Sequence, residues 1–231
     1  MGGINVKITM IEELLLKVAP HLCLGCGKIG TLLCHNCKYN IISEPFLGCI
    51  LCAKVSLEGV CAEHHTSICK AWVVSERLTV LRRVINTYKF ENVKAASRVL
   101  VDLIDERLPL LPANIVIVPI PTASSHIRQR GYDHIDILAR LLAQKRKIPI
   151  ASLLQRSSSA TQHRLNKADR QHEAGNAFHV SEAGTIYPDT PLLILDDIIT
   201  TGSTVSSAAK VLADAGAKTI FVVSLAYQPL D

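Results

Sequence analysis

All eight cysteines of this 231-residue chain lie within its first 70 residues, and most of them occur in pairs separated by two residues. The start of the chain has neither a basic leader nor a small-residue cleavage site, so we expect a cytoplasmic protein. Because thiols stay reduced in the cytosol, such pairs indicate metal binding or redox chemistry rather than disulfides. A thioredoxin-type redox pair opens a helix of a βαβ unit, and this segment lacks that pattern. The cysteines therefore predict a metal-binding module that ends near residue 70.

The first four cysteines have the spacing of a structural zinc site. Two pairs are separated by seven residues, which lets a short hairpin bring four thiolates to one tetrahedral ion. A closed site with four protein ligands stabilises the fold and leaves no position for a substrate, so we expect structural zinc. The ligands of this set are Cys23, Cys26, Cys34 and Cys37.

The second set supplies three cysteines, Cys49, Cys52 and Cys61, and leaves the fourth ligand open. His64 restores the two-residue gap of the other pairs and is the favoured ligand. His65 and Cys69 remain alternatives for this position. The sequence thus predicts two structural zinc sites that together form a double zinc ribbon over residues 22–70.

After residue 70 the sequence changes to apolar strands that alternate with amphipathic helices, which predicts an α/β fold with a parallel sheet covered on both faces. We expect an N-terminal helix within residues 1–21, the zinc ribbon over 22–70 and the α/β domain over 71–231. Helical periodicity of apolar residues covers Arg77–Tyr88, Val93–Arg107, Asp133–Lys145 and Ser203–Ala215. Runs typical of buried strands cover Ile115–Pro119, Leu192–Leu195 and Thr219–Leu225.

Positive charge is concentrated in the segment between His126 and His172. This segment has 10 lysines and arginines against 3 acidic residues, a local net charge of +7, whereas the whole chain carries +5. Such a segment binds anions, either substrate phosphates or a nucleic-acid backbone, and a solvated surface is the alternative. The apolar stretch Ile8–Ala19 is too short and too charged to span a bilayer, so we expect no membrane insertion.

The segment Leu192–Val205 is the most informative for function, because an apolar strand runs into two acids and then into a hydroxyl-rich loop. Parallel sheets bind ligands beyond the carboxyl ends of their strands. Gly202 allows the backbone to approach a ligand closely, and the free N–H groups at a helix start attract phosphate. Asp196 and Asp197 are suited to sugar hydroxyls or a magnesium ion. The pattern indicates a site for a 5-phosphorylated ribose; a capped helix beside a salt-bridged turn is the alternative.

Leu192–Val205 resembles the phosphoribosyl diphosphate (PRPP) motif of type I phosphoribosyltransferases, a highly specific fingerprint. Together with the double zinc ribbon, residues 22–228 resemble the ComF family of bacterial competence-type proteins. The resemblance implies a parallel-sheet, type I phosphoribosyltransferase-like domain preceded by a small double zinc ribbon. It departs at His64, where the family usually has a cysteine. Further matching segments are Tyr88–Phe90, Val118–Pro121, Arg128–Tyr132 and Thr161–Phe178.

The resemblance also implies roles for individual residues. Asp196 and Asp197 are expected to be the catalytic pair that binds the ribose hydroxyls, with a magnesium ion bridging ribose and diphosphate. Basic residues are expected to offset the charge of the leaving diphosphate, and the polar segment Ser157–Asn176 to form a mobile lid or an ordinary surface loop. Lys89 is either a further anion contact or a surface lysine. The expected PRPP-binding residues are Asp196, Asp197, Thr200, Thr201, Gly202, Ser203, Thr204, Pro119, Pro121, Arg128, Arg130, Arg164, Lys167 and Arg170.

Two functions follow from the resemblance. The first is a domain that binds PRPP or ribose 5-phosphate and acts in DNA uptake and natural transformation, with single-stranded DNA and competence-machinery proteins as partners. The alternative is a catalytically active, magnesium-dependent phosphoribosyltransferase of nucleotide salvage or synthesis. Because a fold does not establish catalysis, the sequence leaves turnover open.

Overall fold

The computed structural model describes residues 21–91, 93, 95–157, 177–182 and 184–229. The strands of these ranges are β1 (Lys70–Glu76), β2 (Val116–Pro119), β3 (Leu154–Arg156), β4 (Phe178–Val180), β5 (Leu192–Ile199) and β6 (Ile220–Tyr227). Four of them form the central sheet in the order β1-β6-β5-β2, and every neighbouring pair in this sheet is parallel. The other two, β3 and β4, form a separate antiparallel pair. The carboxyl ends of the parallel strands therefore share one edge of the sheet.

Helices cover both faces of the sheet. They are α1 (His35–Ile42), α2 (Thr79–Phe90), α3 (Ala95–Arg107), α4 (Ser124–Arg130), α5 (His134–Arg146) and α6 (Ser203–Asp214). Leu193 and Leu195 of β5 belong to a core that also contains buried residues of α2, α3 and α5. Leu192 and Ile194 belong to a second core, which contains buried residues of α6. Alternate residues of β5 thus face opposite helical layers, as expected for a strand buried on both sides.

The cysteine-containing segment packs into the same two cores as the sheet. Leu32, Leu33 and Ile41 lie in the core with α2 and α3, whereas Ile50 and Ile68 lie in the core with α6. The first half of the segment therefore supports one face of the sheet and the second half supports the other.

The predicted α/β fold with a parallel sheet covered on both faces is confirmed. Strand β5 continues four residues beyond the predicted end at Leu195, because Asp196 and Ile199 still pair with β6. Strand β1 was missing from the sequence prediction; it is a parallel edge strand with four consecutive buried residues. The expected helix in residues 1–21 lies largely outside the described residues, and the domain boundaries stay a prediction. Among the described residues, every helix is too short or too polar to traverse a lipid bilayer.

Candidate functional site

A cleft of about 230 Å³ opens where β2 and β5 end at the same edge of the sheet. Its walls come from seven parts of the chain: the end of α2, the chain after β2, the helices α4 and α5, the end of β3, the acids of β5, and the start of α6. Asp196 and Asp197 lie on its floor and are less than one-tenth exposed. The structure therefore places both predicted acids in a cleft at the carboxyl edge of the sheet, the expected position for a ligand.

Asp197 is paired with two nitrogen donors. Its Oδ2 lies 2.6 Å from Nε2 of His134, and Lys89 forms an ion pair with the same oxygen. Burial by itself raises the pKa of Asp197, but the hydrogen bond from His134 and the charge of Lys89 hold that pKa well below its usual range. Asp197 therefore remains a carboxylate and is already neutralised by the protein.

The environment of His134 defines its proton position. Nη1 of Arg130 lies 3.0 Å from Nδ1 of His134, and a guanidinium can only donate. We therefore assign Nδ1 as an acceptor and place the ring proton on Nε2, which donates to Asp197. The backbone of His134 is also fixed, since its carbonyl accepts a hydrogen bond of 2.8 Å from the hydroxyl of Tyr88.

The start of α5, which carries His134, is connected to the end of β2. Asp133 caps this helix by accepting hydrogen bonds from the amides of Ile135 and Asp136 at 3.0 and 3.2 Å. The same carboxylate accepts a hydrogen bond of 2.8 Å from the hydroxyl of Thr122. The segment after β2 and the helix α5 therefore hold each other in place along one wall of the cleft.

Asp196 lies in a different environment from Asp197. In the described part of the chain, ion pairs reach Asp197 and none reaches Asp196; Oδ1 of Asp196 accepts a hydrogen bond of 2.9 Å from the amide of Asp197. Burial and the neighbouring charge of Asp197 raise the pKa of Asp196 to about 7. Asp196 is therefore a carboxyl group that exchanges a proton near neutral pH and is available to a metal ion or a sugar hydroxyl.

The loop 200–204 faces Asp196. A hollow of about 20 Å³ is lined by Asp196, Ile198, Ile199 and residues of this loop. Gly202 is the N-cap of α6 and provides no side-chain hydrogen bond to the helix; the hydroxyl of Thr201 accepts from the amide of Ser203 at 3.3 Å. The first amide of α6 is therefore satisfied by Thr201, whereas the N-cap residue itself has no side chain. Thr204 borders both the hollow and the larger cleft.

The close neighbours of Gly202 are protein atoms. A Cβ at this position would lie 2.5 Å from Cδ2 of Leu51 and 2.7 Å from the carbonyl oxygen of Ile50. Its φ of +71° also favours glycine. Glycine is therefore needed at this position because the cysteine-containing segment packs against it. This reason differs from the expected close approach of a ligand.

Two clusters of metal-ligating side chains are present among the described residues, and in each the donor atoms lie within 4.8 Å of one another. In the first, burial is outweighed by backbone N–H groups, which lower the pKa of the Cys23 thiol to about 6. In the second, Nε2 of His64 is buried without a hydrogen-bond partner among the described residues, and a metal would satisfy it. His65 and Cys69 are exposed and lie outside the cluster. The clusters are Cys23, Cys26, Cys34 and Cys37, and Cys49, Cys52, Cys61 and His64. Both have donor sets that suit tetrahedral zinc.

The remaining predicted PRPP-binding residues are distributed unevenly. Pro121 and Arg130 line the cleft, Pro119 is buried at the end of β2, and Arg128 is exposed on α4 outside the cleft lining. The predicted lid after Ser157 up to residue 176 lies outside the described residues, as do three predicted ligand contacts: Arg164, Lys167 and Arg170.

Part of the basic segment has a structural role. Arg146 on α5 donates to the carbonyl oxygens of Leu108 and Pro109 at 2.9 and 2.7 Å, beyond the end of α3, and Lys145 pairs with Asp102. These cations fix α5 against α3 and are not positioned in the cleft. The segment therefore divides into a structural group on α5 and a smaller group near the cleft.

Sequence reasoning missed His134 and Arg156 as cleft residues and left the role of Lys89 open. Nε of Arg156 donates to the carbonyl oxygen of Pro121 at 2.8 Å, which fixes this cation at the rim. The signal for Lys89 was its position at the end of an amphipathic helix within the matching segment Tyr88–Phe90. Nothing in the local sequence of His134 or Arg156 indicated the contacts that they make.

Comparisons with known proteins agree with this architecture. A family model described as a phosphoribosyl transferase domain matches residues 91–230. Competence protein F of Haemophilus influenzae is 30% identical over 207 residues, which cover 84% of this chain and 90% of that protein. Competence protein ComFC of Streptococcus pneumoniae is 24% identical over 208 residues, covering 88% and 86% of the two chains.

A third relative is the DNA utilization protein YhgH of Salmonella typhi, which is 31% identical over 157 residues that cover 64% of this chain and 68% of that protein. The match to Competence protein F extends over most of both chains, and it is joined by the family-model match and by two cysteine-containing clusters that can bind zinc. The chain therefore belongs to the ComF family, and its residues 91–230 form a phosphoribosyl transferase domain.

Proposed function

We propose that this protein binds the ribose 5-phosphate part of PRPP, together with magnesium, at the cleft formed by β2 and β5. The observation that carries the proposal is the hollow shared by Asp196 and the loop 200–204. It joins a carboxyl group for a sugar hydroxyl to the start of α6, where the N-cap residue is Gly202 and backbone amides attract a phosphate. A 5-phosphorylated pentose presents both kinds of group.

Magnesium is the cofactor that fits this donor set. Asp196 is a carboxyl group in the cleft that no ion pair of the described residues neutralises, and magnesium binds through one or two carboxylates plus phosphate oxygens. Asp196 is therefore the residue that would hold the ion, whose charge would offset that of the diphosphate. The preformed pairing of Asp197 with Lys89 and His134 leaves Asp197 a positioning role.

The diphosphate is assigned to the wall that follows β2. Pro121, Thr122 and Ala123 line the cleft there, and Arg130 and Arg156 border the same space. A guanidinium group can donate two hydrogen bonds to the oxygens of one phosphate, and it keeps its charge at every physiological pH. Arg156 is already directed to this wall by its hydrogen bond to Pro121.

We further propose a role in DNA uptake, which rests on the similarity to proteins named Competence protein F, Competence protein ComFC and DNA utilization protein. Single-stranded DNA and competence-machinery proteins are the expected partners, and the cytoplasm is the expected location. The exposed part of the basic segment, which includes Arg128 and Lys147, provides the charge for a nucleic-acid backbone.

A second candidate function is catalysis by the same site, with transfer of phosphoribose from PRPP to a nitrogen nucleophile. The bond between the anomeric carbon and the diphosphate oxygen breaks, and a bond from that carbon to nitrogen forms. The observation that favours it is the pair of guanidinium groups beside the cleft, Arg130 and Arg156, because departure of a diphosphate requires positive charge at the leaving group.

Titration calorimetry with PRPP and magnesium tests the binding function. Wild-type protein is expected to bind, and Asp196→Asn and Thr204→Val to bind at least roughly tenfold more weakly, since each removes a contact worth about 1.5 kcal/mol or more. Ser206→Ala, on α6 but outside the lining of the cleft and the hollow, is the control. Absence of binding by the wild type would refute the proposal; release of diphosphate on adding candidate bases separates catalysis from binding alone.

The salt dependence of oligonucleotide binding tests the DNA role. For single strands the logarithm of affinity falls with the logarithm of salt by roughly 0.7 per phosphate contact. We expect Arg128→Ala to reduce this slope by about that amount, whereas Lys210→Ala, an exposed lysine of α6, leaves it unchanged. A wild-type slope near zero would contradict binding to the strand through its phosphates.

A further inference from the structure

The knuckle of the second metal cluster, residues 49–52, lies directly against the loop 200–204. Ile50 and Leu51 stand between the ligands Cys49 and Cys52 of this knuckle. A Cβ on Gly202 would lie 2.5 Å from Leu51 and 2.7 Å from the Ile50 carbonyl, which are distances that real side chains do not adopt. The knuckle and the loop are therefore in close contact at Gly202, the N-cap residue of α6.

This knuckle is also fixed by contacts outside the loop 200–204. Ile50 is fully buried, and its amide donates to the Gly59 carbonyl at 2.8 Å. The backbone carbonyl of the neighbouring Glu58 accepts a hydrogen bond of 2.8 Å from the amide of Ala71 in β1. The amide of Leu51 donates to Sγ of Cys49 at 3.5 Å. The position of Leu51 thus depends on β1 and on a thiol that belongs to the metal cluster.

The first metal cluster is placed differently. Cys23 is buried in the core that contains residues of α2 and α3, and Leu24 packs against the same core. The space beside Gly25 is occupied by Cys37 and by Val80 of α2. The knuckle Cys23–Cys26 therefore supports the helical layer on the side of Asp197, whereas the knuckle 49–52 supports the loop on the side of Asp196.

We propose that the second metal cluster positions the sugar-phosphate loop, with Leu51 as the positioning residue. The inference rests on the proposed function for the identity of the ligand. Cys49, Cys52, Cys61 and His64 would hold the knuckle through one bound metal ion, and the knuckle would keep Gly202 and the first amides of α6 in a fixed arrangement. A loop that is ordered before binding loses less conformational entropy on binding, which raises its affinity. Ligand affinity then depends on the second cluster and is independent of the first.

Paired variants that keep every metal ligand test this inference. Leu51→Ala shortens the side chain that contacts Gly202, and Leu24→Ala makes the same change in the other knuckle. Native mass spectrometry establishes that both variants retain their metal. We expect Leu51→Ala to increase hydrogen exchange of the amides in 200–206 and to weaken ribose 5-phosphate binding roughly fivefold or more, the lower range of coupling between sites. Leu51→Met is expected to restore both, and Leu24→Ala to change neither.

Hydrogen exchange separates this inference from the proposed function. A wild type that does not bind ribose 5-phosphate defeats the proposed function, while faster loop exchange in Leu51→Ala still supports the positioning role. Cys52→Ser and Cys26→Ser provide a second pair, each lacking one ligand of one cluster; loop exchange is expected to rise only in Cys52→Ser. Unchanged loop exchange in Leu51→Ala and Cys52→Ser, or equal increases in the variants of the first knuckle, would overturn the inference.

Discussion

Asp196 and Asp197 are adjacent in sequence and equally buried, yet they occupy opposite environments. Asp197 faces the layer of α2 and α5 and is paired with Lys89 and His134. Asp196 faces the loop 200–204, and its pKa is raised while that of Asp197 is lowered. Side chains of neighbouring residues on a strand point to opposite faces, so one residue of sequence separates two functions. Asp197 stabilises the folded protein through its pairing, and Asp196 remains available to a ligand.

The largest expected effect comes from neutralising the paired acid. Asp197→Asn leaves the ammonium of Lys89 buried without its carboxylate, and loss of one partner of a buried pair costs about 3–5 kcal/mol. Asp196→Asn removes a carboxyl group whose ionised form is disfavoured by burial, so it is expected to be at least as stable as the wild type at pH 8. Urea unfolding monitored by circular dichroism measures both variants. Equal losses of stability in the two variants would remove the distinction between the acids.

A smaller effect is expected from the partner of Asp197. Lys89→Met removes one of the two donors and keeps the hydrogen bond from His134, so we expect a loss of about 1.5–3 kcal/mol at pH 7, as for hydrogen bonds to charged groups. Lys89→Arg keeps the charge and is expected to retain most of the stability. The same unfolding assay applies. If Lys89→Met is as stable as the wild type, Lys89 is a surface lysine and the pairing has no energetic importance.

The third effect is a pH dependence of stability to which Asp196 contributes through its raised pKa. Its pKa rises from the ordinary 3.8 to about 7 on folding, so between these values the folded state binds more protons than the unfolded state. The stability contributed by this group is therefore complete below about pH 4, falls as the pH rises through the folded pKa, and levels off above about pH 8. The slope cannot exceed about 1.4 kcal/mol per pH unit.

The difference in unfolding free energy between the wild type and Asp196→Asn isolates this term. We expect the wild type to lose stability relative to the variant as the pH rises from 5 to 8, with little further loss up to pH 8.5. Asp197 contributes the opposite trend, because its pKa is lowered on folding. Its contribution to stability is lost only as the pH falls below the usual pKa of an aspartate. A difference that stays constant from pH 5 to 8.5 would mean that the two acids titrate alike.

The sequence predicted the acids, the loop and the parallel sheet because their signals are local. A run of apolar residues defines β5, and the loop follows within a few positions. Strand geometry implies opposite environments for Asp196 and Asp197 only when the strand continues past its apolar run, which ends at Leu195. The pairing with β6 at Asp196 and Ile199 is what extends the strand.

Local sequence patterns cannot predict contacts between residues that lie far apart in the sequence. Asp197 meets Lys89 and His134 only because α2 and α5 pack on the same face of β5, and sequence patterns do not give that arrangement. The same limit applies to Gly202, whose neighbour Leu51 belongs to the metal module. Arg128 and Arg130 show a further case: residues two apart on a helix do not share a face, so only Arg130 reaches the cleft.

Proton release on ligand binding tests the central claim most directly, which is that Asp196 receives the ligand while Asp197 is held by the protein. Calorimetry of PRPP with magnesium at pH 6, in buffers of different ionisation enthalpy, counts the protons released. Because the pKa of Asp196 is raised to about 7, we predict that the wild type releases close to one proton more than Asp196→Asn at pH 6 and that this difference shrinks towards pH 8. Equal proton release by the wild type and Asp196→Asn at both pH values would contradict the account.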